Sequence, residues 1–338
     1  MGFTVQEETF DSIWDEWESI LPSCSTNTVF VTPWWQKVWW DNFCADNELH
    51  ILSVREGDDL IGVAPLMISN GVLTFAGDKE LFDYLDFLVP KGNESIFYDA
   101  LFGHIMDMDW QSIDLPSLPK DSPTLEYLPT LAKGKGLKVE VEDEETTPVA
   151  YLPDTWDEYL AGLRKKDRHE LRRKIRRLEA ADSPRQYSCD SPDCMQDFFR
   201  LLRASRADKD EFLTPEREKF FTDIAQELSK RDQFKLYFLE VDGERVAGCI
   251  CFDYGESYLL YNSGYDPEYS QLSVGLLNKA LSLQTAIEEG RQSFNFLKGN
   301  ERYKYNLGGK DEAVYHRRGD RCAGSHEQHR LRWHHLHL

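Results

Sequence analysis

Two distant stretches of this chain repeat one pattern. Leu49 to Leu66 (LHILSVREGDDLIGVAPL) and Lys235 to Phe252 (KLYFLEVDGERVAGCICF) each read as a strand, a turn of acidic residues and glycine, and a second strand rich in small residues. A glycine beside an acidic residue between two apolar runs favours a tight antiparallel hairpin, because glycine takes the positive φ that such turns need. Two such hairpins, each set among helices and further strands, restrict the fold to two weakly similar α/β units. The 338 residues suffice for both, since a domain takes roughly 100–200 residues.

Local signals fill in the rest. Phe10, Ile13, Trp14, Trp17, Ile20 and Leu21 recur at helical spacing, and Thr32-Pro33 is an N-cap and first-turn pair leading to Phe43. Strands are predicted at 49–55 and 60–68, then at 72–76 after the Asn70-Gly71 turn. A helix at 94–107, a strand at 110–115, a helix start at Ser122-Pro123 and strands at 137–142 and 147–152 complete the first half. The second half has predicted helices at 154–162, 166–181, 191–206, 215–230 and 273–289, with strands at 234–241, 244–253, 257–264, 292–297 and 312–317. Helices and strands mix without strict alternation. No low-complexity linker separates the halves, so the acidic stretch Glu140 to Glu145 is taken as the boundary, giving units 1–145 and 146–318. The remainder, 319–338, holds five of the nine histidines without strand or helix period; it is expected to be a disordered tail outside the fold.

The net charge of −21 is unevenly shared: residues 1–150 hold 8 Lys or Arg against 28 Asp or Glu, and the rest hold 31 against 32. Such a balance excludes a protein that coats DNA, yet leaves room for a local basic patch that binds one phosphorylated ligand. No apolar run approaches the ~20 residues of a membrane span, and the first residues lack the pattern of a signal peptide, so a cytoplasmic location is expected. The seven cysteines are scattered, which argues against a disulfide framework or a zinc site, and Cys249 and Cys251 read as one face of a buried strand.

Four segments have the residues for chemistry. Arg164 to Arg177 has nine Lys or Arg in fourteen; Arg172 and Arg173 belong to a guanidinium stripe that is either a solvated face or a binder of phosphate oxygens. Gln271, Ser273, Val274, Gly275 and Leu276 open the long helix, where free backbone N–H groups either receive pyrophosphate or merely begin a helix. Phe294 to Tyr305 runs from an apolar strand into a cationic, aromatic cluster. There Lys304 can meet an oxyanion or phosphate, Tyr303 or Tyr305 can donate a proton, and the alternative is a packed, solvated loop. Asp83 and Asp86 flank Tyr84, as a base for an ammonium nucleophile or as structural caps.

In order along the chain, several short motifs resemble the CelD-like and FemABX-like branch of the GNAT acyltransferase superfamily. They are Phe30-Val31-Thr32-Pro33-Trp34-Trp35, Val63-Ala64-Pro65-Leu66, Asp83-Tyr84-Leu85-Asp86, the basic helix, Val246-Ala247-Gly248, Tyr265-Asp266-Pro267, Phe296-Leu297-Lys298-Gly299 and Tyr303-Lys304. The resemblance implies mixed α/β sheets in two GNAT-like domains packed side by side, the acidic first one degenerate and the second holding donor and catalytic groups. It implies an enzyme that transfers acyl groups other than aminoacyl groups from acetyl-CoA or another acyl-CoA to an amine of a sugar, peptide or small molecule, in cell-envelope or polysaccharide biosynthesis, without a metal. Gln271, Ser273, Val274, Gly275 and Leu276 would hold the donor. Lys304, Tyr261, Tyr303 and Asp83 would act in catalysis, and Arg172, Arg173 and Asp86 would bind substrate or phosphate. The two alternatives are an aminoacyl-tRNA-dependent peptidyl transferase of the FemABX type, with tRNA as a partner, and a non-catalytic accessory protein of polysaccharide synthesis. One glycine, Gly275, stands where the family's phosphate loop has two small residues, and no long coiled-coil arm is present.

Overall fold

The computed structural model describes residues 2–44, 47–189 and 191–320. The first half runs β1 (Phe3–Glu8), α1 (Phe10–Ile20), α2 (Pro33–Phe43), β2 (Glu48–Glu56), β3 (Asp59–Ser69), β4 (Val72–Phe75), α3 (Glu94–Asp107), β5 (Ser112–Pro119), α4 (Thr124–Gly134) and β6 (Lys138–Tyr151). The second runs α5 (Trp156–Gly162), α6 (Lys165–Glu179), β7 (Arg185–Ser188), α7 (Met195–Ser205), α8 (Ala207–Phe212), α9 (Pro215–Ser229), β8 (Phe234–Val241), β9 (Glu244–Tyr254), β10 (Ser257–Tyr265), α10 (Val274–Glu288), β11 (Ser293–Asn295), α11 (Arg302–Asn306) and β12 (Lys310–Asp320).

All twelve strands form one sheet in the order β1-β2-β3-β4-β5-β12-β6-β11-β10-β9-β8-β7. The order is a palindrome: β1 to β5 on one side mirror β7 to β11 on the other. In both halves the central hairpin carries the same register step, at Val54/Arg55 in β2 and at Leu239/Glu240 in β8. In both, the last unit strand joins its neighbour in parallel, β4 with β5 and β10 with β11.

At the centre the halves exchange strands. β12, from the end of the second half, pairs with β5 of the first, while β6, from the end of the first, pairs with β11 of the second; β6 and β12 then pair with each other from Lys310↔Val149 to Asp320↔Lys138. The expected boundary at 145 therefore falls inside a strand that serves both units, and Gly319 and Asp320 complete β12. Of the expected tail, 321–338 lies outside the described residues.

Helix starts follow the sequence signals. Thr32 accepts the N–H of Trp35 at 3.3 Å with Pro33 in the first turn of α2, and Thr9 and Ser12 form a capping box at α1. An aromatic seam joins the halves: Trp35 of α2 meets Phe220 of α9, Phe252 of β9 and Tyr261 of β10 at ring-centroid distances of 5.8, 5.3 and 5.5 Å. Edge strands β1 and β7 and the short α11 have no counterpart in the sequence reading. The two strands expected at 137–142 and 147–152 are one strand, and the helix expected at 191–206 begins at Met195 and gives way to α8. One cysteine expectation needs correction. Cys189 and Cys194 form a disulfide, closing the turn between β7 and α7, whereas Cys24, Cys44, Cys249 and Cys251 are free and buried. Five-residue spacing across a turn brings their Cα atoms within 6.4 Å, inside the range a disulfide spans.

Candidate functional site

β10 and β11 pair only from Ser257↔Ser293 to Leu259↔Asn295. Beyond that point β10 continues to Tyr265 without a partner on this side, and a register break between Leu260 and Asn262 bends it. The two strands splay, and α10 begins just past the end of β10. A cavity of about 290 Å³ lies at this helix start, lined among others by Lys174, Tyr265, Ser273, Gly275, Lys279 and Tyr303.

The backbone at this helix start leaves N–H groups free of intrahelical partners. Ser273 takes a left-handed conformation (φ 58°), and its carbonyl accepts the N–H groups of Leu276 and Leu277 at 3.1 and 3.0 Å. The N–H groups of Val274 and Gly275 precede them and have no carbonyl one turn back within the helix. No acidic residue occupies the first turn, so the positive end of the helix dipole is uncompensated from within. Gly275 is required by its neighbour: a Cβ there would stand 2.8 Å from the ring of Tyr265. Of the five residues expected to hold the donor, Ser273, Val274, Gly275 and Leu276 line the cavity; Gln271 stands beside it, its carbonyl accepting from Arg177 at 2.9 Å.

The basic helix α6 packs here, but through different residues from those expected. Lys174 donates to Ser273 Oγ at 2.7 Å, and Arg177 reaches Gln271. Arg172 and Arg173 are exposed, and Arg173 is paired with Glu170 at 2.7 Å. Of the basic residues of α6, the i, i+3 pair Lys174 and Arg177 reaches the start of α10 and the turn before it, while Arg172 and Arg173 lie on the exposed face.

Lys304 is almost fully buried at 2% exposure. Its ammonium donates to the carbonyls of Leu297 (3.0 Å), Lys298 (2.5 Å) and Gly299 (3.2 Å) and pairs with Glu301 at 2.9 Å. Three carbonyls converging on one ammonium clamp the turn after β11, which contains Leu297 at φ 57° and Gly299 at φ 109°. Gly299 has no space for a side chain, because a Cβ would meet Glu301 at 2.5 Å and Lys304 Nζ at 3.1 Å. Tyr303, the next residue back, faces the cavity with its ring edge-on to Phe296 at 6.3 Å. Burial keeps its hydroxyl protonated well above the ordinary tyrosine range.

The other expected site residues lie elsewhere. Asp83 accepts the backbone N–H of Lys298 at 2.7 Å, and Lys298 Nζ reaches Ser117 (2.6 Å) and Glu144 (2.8 Å), so Asp83 bolts the β11–α11 turn onto the first half. Asp86 is 1% exposed and accepts from Thr26 (2.5 Å) and Thr124 (2.6 Å), which makes it a core crosslink of the first half. Tyr261 sits in the aromatic seam with its hydroxyl on the carbonyl of Leu81 at 3.1 Å. Burial raises the pKa values of all three. In Asp83, Asp86 and Tyr261 the residue types expected of a site serve the joint and the core instead.

Two further lysines face the cleft and were not singled out from sequence. Lys279 lies one turn past Gly275, donates to its carbonyl at 2.9 Å and stands 4.8 Å from the Tyr303 ring. Lys209 of α8 donates to the carbonyl of Ser263 on the splayed part of β10. The only sequence signal for Lys279 is a lysine on the apolar side of α10, between Leu276 and Leu283. Among the described residues no group of three or more His, Cys, Asp or Glu stands where it can hold a metal ion, and no helix is long and apolar enough to cross a membrane.

Known proteins share this architecture. The family model described as acetyltransferase (GNAT) domain matches residues 165–305, the stretch that contains α6, the splay, α10 and Lys304. Among solved structures, FemX superposes with a TM-score of 0.66 at 11% identity, over 93% of this chain and 96% of its own. L-PGS from Bacillus licheniformis superposes with a TM-score of 0.56 at 13% identity, over 92% of each chain. A tandem GNAT protein from the clavulanic acid biosynthesis pathway gives 0.52 at 13% identity, over 94% of this chain and 98% of its own. Among curated proteins none matches the sequence significantly. The duplicated, strand-exchanged sheet and these superpositions lead to one conclusion: the chain has the tandem GNAT fold, and residues 165–305 of its second half match the acetyltransferase (GNAT) domain.

Proposed function

We propose that the protein moves an acyl group from an acyl-CoA to the amine of a sugar, peptide or small molecule. The observation that carries this reading is the cavity at the start of α10, where the N–H groups of Val274 and Gly275 and the ammonium of Lys174 converge on a space sized for a pyrophosphate and the chain attached to it. A donor anchored there by its phosphates extends past Gly275 into the splay between β10 and β11, towards Tyr303. The acceptor amine, once deprotonated, attacks the thioester carbonyl; the carbon–nitrogen bond forms as the carbon–sulfur bond breaks, and the departing thiolate takes a proton. Tyr303, which lines the cavity and keeps its proton, is placed to donate a hydrogen bond to the departing sulfur, while the proton lost by the amine reaches the thiolate through water. Lys304 acts through the loop it clamps, holding the turn from Leu297 to Gly299 at the edge of the cleft.

A second reading, aminoacyl transfer from tRNA, has one observation in its favour. The basic face of α6 extends beyond the cavity through exposed Arg164, Lys165, Lys166, Arg172 and Arg176, more cationic surface than a pyrophosphate requires. Thermal-shift titrations with coenzyme A, acetyl-CoA and charged tRNA separate the two, since a ligand that binds only the folded state raises the melting temperature. Stabilisation by coenzyme A and acetyl-CoA supports the acyl-CoA reading. Stabilisation by charged tRNA alone, lost on adding salt, overturns it.

A further inference from the structure

Two lysines stand beside the splay: Lys279 lines the cavity, and Lys209 reaches the unpaired stretch of β10. Lys279 is 7% exposed and Lys209 half-buried; they approach the splay from α10 and α8. Lys279 spends one donor on the carbonyl of Gly275, while Lys209 reaches the carbonyl of Ser263 and, at 3.5 Å, the side-chain oxygen of Asn262. The charged groups that bear most strongly on them are cations or carboxylates already paired. Lys209 faces Lys279 and Arg206, together with Glu301 and Asp208; Lys279 faces Lys304 and Glu301, along with the thiols of Cys249 and Cys251. Glu301 is held by Lys304 at 2.9 Å and Asp208 by Arg206 at 2.9 Å. Neither Lys209 nor Lys279 has a carboxylate within ion-pair distance among the described residues.

Two ammonium groups buried together without a counter-ion oppose each other's protonation. Burial, then the neighbouring cations Lys279 and Arg206, bring Lys209 down to about 8, and burial lowers Lys279. A negative group placed between them would satisfy their unused donors and restore both charges. The position fixes where that group lies on the ligand. The phosphates occupy the mouth at Ser273 and Gly275, Lys279 follows one helical turn inward, and Lys209 sits on the unpaired edge of β10, where the acyl end of an anchored thioester arrives.

We propose that the transferred acyl group carries a carboxylate of its own, held between Lys209 and Lys279, so that the enzyme selects a dicarboxylic monothioester such as succinyl-CoA over acetyl-CoA. This rests on the acyl-CoA reading above. The same pair disfavours an aminoacyl group, whose ammonium would add a third cation.

Calorimetric titration of the full chain with coenzyme A, acetyl-CoA and succinyl-CoA tests it. At about pH 7 succinyl-CoA is expected to bind at least about tenfold more tightly than acetyl-CoA, the effect of one favourable charge pair out of bulk water. Raising the pH to about 9.5, above the value of about 8 for Lys209, shrinks the difference. Lys209→Met reduces it to within about twofold, with free coenzyme A as the control for folding and for the phosphate site. Equal affinities for the two thioesters in the wild-type chain, or a preference that survives both Lys209→Met and high pH, would overturn the proposal. Failure of coenzyme A itself to bind would instead overturn the donor reading, and the acyl preference with it.

Discussion

The starts of α3 and α10 occupy matching places in the two halves, each between the parallel strands of its unit, and the molecule uses them oppositely. At α3 the first residue is Glu94, whose carboxylate accepts the N–H of Gly92 at 2.7 Å and places a negative charge in the first turn. At α10 no acidic residue belongs to the first turn, Lys174 stands beside it, paired with Glu170 at 3.6 Å, and a cavity lies in front. The strands leading in differ as well. β10 is one strand of nine residues, whereas β4 stops after four, and the chain folds through Asp78 to Asp86 before Leu88 resumes pairing with Val63. That excursion carries the contacts to the second half: Asp83 to Lys298, Tyr84 to Asn295 at 2.9 Å, Leu81 to Tyr261, and Glu80 to Arg217. Duplication of one fold has left an open cavity in one copy, where the proposed donor binds, and in the other the corresponding region contacts the partner half.

The largest effect should come from breaking the dock. Lys298→Ala removes the ammonium between Ser117 and Glu144 and leaves a half-buried carboxylate uncompensated, for which a loss of about 3–5 kcal/mol is expected. Chemical denaturation should show this loss, together with separate transitions for the two halves. Next is the open helix start. Reversing Lys174 and Arg177 to Glu should weaken coenzyme A binding by about 30-fold or more, while the same reversal at Arg172 and Arg173 should change it by less than about threefold. Titration calorimetry on both double variants compares the two faces of α6 directly.

The strand exchange should make the seam sensitive to acid. Glu144 and Asp114 are both pushed up by burial, but Lys298 for the first and His316 with Arg318 for the second hold them below the usual carboxylate range. Their folded pKa values lie below the unfolded ones, so their stabilising contribution is complete above the unfolded pKa and disappears as pH falls through the folded one. Stability measured from about pH 6 down to about pH 3 should therefore decline, and Glu144→Gln should flatten that decline. The smallest effect has the opposite sign. Gly103 lies within α3, and a Cβ there meets nothing within 4 Å; Gly103→Ala should raise stability by about 0.5–1 kcal/mol without altering ligand binding.

Much of the fold was legible because its signals are local. Asp242-Gly243, Asn70-Gly71 and Thr32-Pro33 determine turns and helix starts from neighbouring residues, and the repeated hairpin announced the duplication. The strand exchange was not legible, since β5–β12 and β6–β11 pair residues far apart in sequence, and acidic β6 lacks the alternation of a half-buried strand. Edge strands β1 and β7 escaped for a related reason: FTVQEE and RQYS bury almost nothing. In the site, the helix start at Ser273 to Leu276 was visible as a motif. Lys304 was visible as a residue, but its three carbonyl partners depend on the left-handed turn at Leu297. Asp83 and Asp86 have the right chemistry for catalysis, and only tertiary packing shows that one is a latch and the other a core crosslink. Lys209 and Lys279 are ordinary helical lysines until the splay of β10 from β11 brings them together.

Hydrogen–deuterium exchange of the full chain with and without coenzyme A tests most directly whether one copy binds and the other docks. Slowed exchange at amides 274–279 with no change at 93–98 is the expected result. Protection at the start of α3, or none at the start of α10, would contradict the assignment of the donor site to the second half.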